Sequence, residues 1–334
     1  MVDVRITAGH PAAAPTRSHR DGSVDPDMQP RTFGPYTLMS VLGGAGVGRV
    51  HLGRTDKGVR VAVRVIRPEF AADPWFRACL RDEVEIIIRV RGPRVAALLD
   101  ADAEADVPWL AAEYVPAPSL ATVLSRSGPL SVDGVRRLGV ELAEALEVIH
   151  EAGAVHRNLK PGNILITAGG PRVVDVGISR AAAASPLTRG GGLVGTPGYL
   201  APEQLLNGPG EPASDVFALG SVLLHAATWR EPFGTGDVAT VLHRVLRVGP
   251  DLRGLDPGLV PVVASCLHPV PARRPSPGEL RDLLLAPATA PSAMDPPAEP
   301  PAEPADVVPA PRTPADDEVA PVDEDALVEE ALPR

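Results

Sequence analysis

Lysine is almost missing from this chain. Of 334 residues only Lys57 and Lys160 are lysine, against 30 arginines. A position that keeps the compact ammonium therefore stands out, because a guanidinium is larger, planar and not interchangeable with it. Cysteine is as scarce, with Cys79 and Cys266 far apart. That excludes a disulfide framework and leaves no four-ligand zinc site, and it fits a reducing cytoplasm. Apolar runs long enough to cross a membrane (about 18 residues) are absent, so no transmembrane helix is expected. The first residues lack the apolar core of a signal peptide. The expected setting is cytoplasmic, away from any membrane.

Basic excess is also lacking. The formal net charge is −10, and residues 286–334 carry all of it, with 12 acids and 2 bases. The remaining residues balance at 30 acids and 30 bases, which argues against a nucleic-acid surface. Hydrophobic residues make up 44% of the chain, enough for the core of one domain with tails. Residues 1–32, rich in Pro, Ala, Asp and Arg without periodicity, are expected to be a disordered leader. The last 49 residues hold 12 prolines and are expected to be an acidic disordered tail.

Between them the texture changes. Residues 36–42 and 50–52 read as short strands around a glycine cluster, and the β-branched run at 59–66 as another. Residues 76–90 have helical spacing, and residues 109–115 are strand-like. Residues 131–152 form the clearest helix. Ser131 suits its N-cap, Val135, Leu138, Leu142, Ala145, Leu146 and Ile149 make its apolar face, and Gly153 is placed to stop it. Helices are also expected at 214–228 and 280–285. Strands first and helices later predict an α+β domain with two lobes.

Five motifs in order carry a resemblance. They are the glycine loop LGGAGVGRV at 42–50, the strand VAVRVI at 61–66, HRNLKPGNIL at 156–165, DVG at 175–177 and GTPGYLAPE at 195–203. Asp215 at a helix start and Arg274 near the end fit as well. Together they resemble the protein Ser/Thr kinase family, and within it the bacterial kinases of the Hanks type, over residues 33–285. The resemblance implies a small β-rich lobe at about 33–115 and a larger helical lobe at about 116–285.

It also implies site residues. Leu42, Gly43, Ala45, Gly48 and Val50 would form the loop over the nucleotide phosphates. Ala62 and Leu165 would sandwich the base with Leu42 and Val50. Glu113 and Val115 would offer hinge backbone to it, and Ala112 would leave a roomy back pocket. Arg64 would contact phosphates and pair with a helix glutamate, best matched by Glu83, with Glu85 as competitor. Lys160 would serve transfer, Asn163 and Asp175 would hold Mg²⁺, and Arg274 would pair with Glu203. His156 would pack rather than act as a base. Ser185 and Thr188 lie in the activation segment as candidate phosphorylation sites.

Three positions depart from the family pattern. Asn158 stands where the family has the aspartate that accepts the substrate hydroxyl proton. Arg64 replaces a lysine, and Ala45 a glycine. Asn158 can hydrogen-bond a hydroxyl but is no base, a loss of about 10²- to 10⁴-fold. The expectation is a Ser/Thr kinase-like protein that binds Mg-ATP, is catalytically impaired, and acts on a protein partner as a regulatory or scaffolding module. A slow, active Ser/Thr kinase with a protein substrate is the alternative, and an adaptor that binds no nucleotide is another.

Overall fold

The computed structural model describes residues 31–44, 46–177, 196–206, 208 and 210–286. The expected tail beyond Ala286 and most of the expected leader lie outside them, as do Ala45, Ser185 and Thr188. The chain divides into two units, Met1–Ser292 and Ala293–Arg334, and the described residues all belong to the first.

Six strands build one antiparallel sheet: β1 (Thr32–Phe33), β2 (Tyr36–Gly43), β3 (Gly48–Arg54), β4 (Arg60–Ile66), β5 (Leu98–Asp102) and β6 (Trp109–Glu113), in the order β1-β2-β3-β4-β6-β5. Side chains alternate across a strand, and β4 shows what that does. Val61 and Val63 face one side, buried with Tyr36, Leu38, Trp109 and Ala111 in a small core of their own. Ala62 and Arg64 fall on the other side, where both line a cavity. One strand thus anchors the sheet and supplies the site.

Two helices, α1 (Pro68–Ala71) and α2 (Pro74–Ile87), follow β4. Asp73 caps α2 by accepting the Trp75 N–H at 2.9 Å. The second lobe is helical: α3 (Leu120–Ser127), α4 (Val132–Glu151), α5 (Pro202–Leu205), α6 (Pro212–Thr228), α7 (Val238–His243), α8 (Val260–Cys266) and α9 (Pro277–Leu285). A hairpin of β7 (Ile164–Thr167) and β8 (Gly170–Val173) lies beside the site. The expected helix at 131–152 is α4, with Ser131 accepting the Gly134 N–H at 3.2 Å and Gly153 in the left-handed region at φ 81°. Its apolar face is buried against α6 and α9. The architecture is the two-lobed α+β arrangement expected. No helix among the described residues is long and apolar enough to cross a membrane.

Helix α6 is buried along almost its whole length. Its approach to α8 depends on Gly220, where an added Cβ would sit 2.6 Å from the Cys266 Cβ. Burial also pushes the Cys266 thiol up to about 12, so it acts as a packing group and not a reactive one. Gly220→Ala is therefore expected to destabilise the domain by about 1–3 kcal/mol through overpacking. A urea-unfolding midpoint equal to the parent's would show that α6 and α8 can separate at no cost.

Arg274 closes this lobe. Its guanidinium donates to both oxygens of Glu203, at 2.6 and 2.8 Å. Burial pushes the Glu203 carboxyl up, but hydrogen bonds from Arg274 and Ser214 outweigh it and hold the pKa below its usual value.

Candidate nucleotide site

A cavity of about 690 Å³ opens between the sheet and the helical lobe. Leu42, Val50 and Ala62 form one wall and Leu165 the other, with Glu113, Val115 and Ala112 at the end of β6. At the polar end stand Arg64, Asn158, Lys160, Asn163 and Asp175. A largely apolar slot with a few convergent polar groups is the usual form of a small-molecule site.

Of the residues expected to bind nucleotide, Gly43 reaches the cavity and Gly48 does not. Gly48 is held in the β3–β4 ladder opposite Ile66, where a Cβ would stand 2.3 Å from the Val65 carbonyl oxygen. Its lack of a side chain serves strand packing. Glu113 uses its carboxylate locally, taking a 2.5 Å ion pair from Arg172. The Val115 carbonyl accepts the Ala117 N–H at 2.9 Å, which turns the chain out of the strand.

The loop carrying Asn158 is fixed from below. Asp215 is fully buried at the start of α6. One of its oxygens accepts the His156 N–H and a contact from His150 Nε2, both at 2.8 Å, and the other accepts the Arg157 N–H at 2.7 Å. His156 ties this loop to the strand before Asp175. Its Nε2 lies 3.0 Å from the Val174 carbonyl, and its Nδ1 is 3.2 Å from the Asn158 N–H. A ring that donates through Nε2 and accepts through Nδ1 is neutral. Desolvation lowers its pKa below the ordinary value, in the same direction. His156 is a packing residue, as expected.

Beyond Asn158 the loop is also tied down. Asn163 donates its amide N–H to the Asn158 carbonyl at 2.9 Å, so its Oδ1 is the atom it would offer to a metal. Lys160 donates to the Thr196 hydroxyl at 3.1 Å, bridging to the segment that precedes α5.

The expected Arg64–Glu83 pair is not what forms. Arg64 Nη2 lies 2.6 Å from Asp175 Oδ2, and Glu83 Oε1 lies 2.8 Å from Arg157 Nη1. Arg64 and Glu83 are buried and the Arg157 side chain is largely so, and a buried charge without a counter-charge is costly. Two arginines and two carboxylates satisfy that need by exchanging partners. The long guanidinium of Arg64 crosses to Asp175, and Arg157, with its backbone in the left-handed region at φ 64°, takes Glu83. Sequence reasoning passed over Arg157. The only signal it offered was a cation immediately before Asn158.

This exchange bears on the metal. Asn163 and Asp175 are two oxygen donors of the kind Mg²⁺ takes. One Asp175 oxygen is paired with a guanidinium, so Arg64 competes with a divalent cation for that oxygen.

Comparison with known proteins places the fold in a family. The family model described as a protein kinase domain matches residues 36–284. The serine/threonine-protein kinase AfsK of Streptomyces coelicolor is 44% identical over 253 residues, spanning 75% of this chain and 32% of that protein. PknA of Mycobacterium tuberculosis is 34% identical over 260 residues, spanning 75% of this chain and 60% of PknA. The chain therefore spans about a third of the length of AfsK. The crystal structure of the Mycobacterium tuberculosis PknI kinase domain superposes with a TM-score of 0.62 at 25% identity, covering 76% of this chain and 96% of that one.

Proposed function

The chain belongs to the bacterial Hanks-type Ser/Thr protein kinase family, and on that premise we propose that it is a nucleotide-binding member whose phosphoryl transfer is lost or nearly so. It would then act by binding a protein partner, as a regulatory or scaffolding module. The kinase unit is taken as residues 33–285, with the lobes meeting near residue 115. Members of this family use ATP with Mg²⁺ and act on proteins. The observation that carries the impairment is Asn158. Its backbone is held by His156 and Asn163 where the proton acceptor belongs, yet its side chain is an amide. Phosphoryl transfer depends mostly on positioning and charge neutralisation, and Arg64 drawn onto Asp175 disturbs both.

Nucleotide binding is supported by the apolar slot and by two cations, Arg64 and Lys160, at its polar end. A second reading, a slow Ser/Thr kinase, is favoured by the assembled state of the rest of the loop, with Lys160 on Thr196 and Asp215 beneath it.

Two measurements on the full chain test this. ATP is expected to raise the melting temperature, with about 2.7 kcal/mol of stabilisation at a hundred times Kd. Labelled ATP is expected to leave no phosphate on the chain or on a generic basic protein. Phosphate incorporation that vanishes in Asp175→Ala would make the slow-kinase reading correct. No stabilisation by ATP would point to an adaptor that ignores nucleotide.

A further inference from the structure

We propose that Arg64 takes the place of the divalent cation, so that this cavity holds a nucleoside triphosphate without metal. The inference rests on the reading that the cavity binds ATP. A triphosphate carries several negative charges, and a site lined by carboxylates needs a metal ion to bring the two together. Here the carboxylates have been removed or neutralised. Position 158 carries an uncharged amide, and Asp175 is paired at 2.6 Å with Arg64. Glu83 lies against Arg157. The polar end of the cavity is left with Arg64 and Lys160 against Asp175 alone, a positive balance.

Arg64 also has donor capacity left over. The residue is 8% exposed, and its Nε–H has no hydrogen-bond partner. Its Nη1 reaches the Gly48 carbonyl only at 3.5 Å, the edge of hydrogen-bond range. A buried guanidinium N–H without an acceptor is costly, and a phosphate oxygen supplies one once the Arg64 side chain turns its Nε–H, wholly inaccessible in this arrangement, into the cavity. A lysine at this place could not do the same, since it offers a point charge with no fork.

The test is a titration of the full chain with ATP, followed by calorimetry and by thermal shift, once in excess EDTA and once in MgCl₂. The expected result is a Kd in EDTA within about threefold of that in Mg²⁺, a difference well under the 1.4 kcal/mol of a tenfold change. Arg64→Lys is expected to weaken binding in EDTA by about tenfold or more and to make binding Mg²⁺-dependent, because charge-assisted fork contacts are lost and Asp175 is released. Should Arg64→Lys fail to fold, Asp175→Asn serves instead. It should bind ATP in EDTA at least as tightly as the parent, because it removes the remaining anion. Binding that needs Mg²⁺ in the parent would overturn metal independence and leave the ATP reading standing. No binding in either buffer would overturn both. Equal binding in EDTA by the parent and Arg64→Lys would remove Arg64 from the role.

Discussion

Asp215→Ala is expected to cost about 3–5 kcal/mol, the scale set by stripping one partner from a buried charged network. The carboxylate is wholly inaccessible and serves three groups: the backbone N–H of His156, that of Arg157 and the ring of His150. Alanine would leave these buried or half-buried donors without their acceptor. Each such orphan costs about 1–3 kcal/mol, and the three share one acceptor and so do not add fully. A typical domain holds only about 5–15 kcal/mol in total, so the variant should melt far below the parent. Asp215→Asn is a sharper probe. It keeps the shape but turns an N–H toward a donor, so it should lose nearly as much. Urea unfolding with an unchanged m-value reads the loss directly. A cost under about 1 kcal/mol, the ordinary worth of one hydrogen bond, would mean that the loop carrying Asn158 holds itself without this base.

How far the sequence foretold this is uneven, for physical reasons. Local signals were reliable. The β-branched alternation of β4, the Ser131 cap and the apolar stripe of α4 depend on neighbours a few residues away, and the structure has them where expected. Strand β5 was missed because its sequence, LLDAD, has no clean alternation and its ladder slips between Leu98 and Asp100. The motif order also fixed which side chains meet in the cavity. It did not fix which charges pair. Arg64, Glu83, Arg157 and Asp175 come from four separate segments, and their long side chains have several partners within reach. Which pairs form is a matter of tertiary distance and burial, which no spacing encodes. Gly48 shows another limit: a glycine in a phosphate-loop pattern and a glycine pressed against Val65 look the same in a sequence.

If charge pairing and one missing base silence the site, two substitutions should restore it together better than either alone. The Asn158→Asp and Arg64→Lys double variant is expected to transfer phosphate from Mg-ATP at least about 10²-fold faster than the parent, within the range of about 10²- to 10⁴-fold that general-base catalysis supplies. Asn158→Asp restores a proton acceptor on a backbone already anchored by His156, Asn163 and Asp215. Alone it should recover only part of the rate, because Arg64 still pairs with Asp175, the carboxylate that would hold a metal. Arg64→Lys alone should recover less, since it frees the carboxylate but leaves no base. The coupling between the two changes is therefore expected to be positive, as for groups that act as a unit. Initial rates on a basic protein substrate, with Asp175→Ala added to the double variant as the abolishing control, measure it. A double variant no faster than the parent would move the defect to the glycine loop at Ala45. A fast Asn158→Asp single variant would place the whole of it in one side chain.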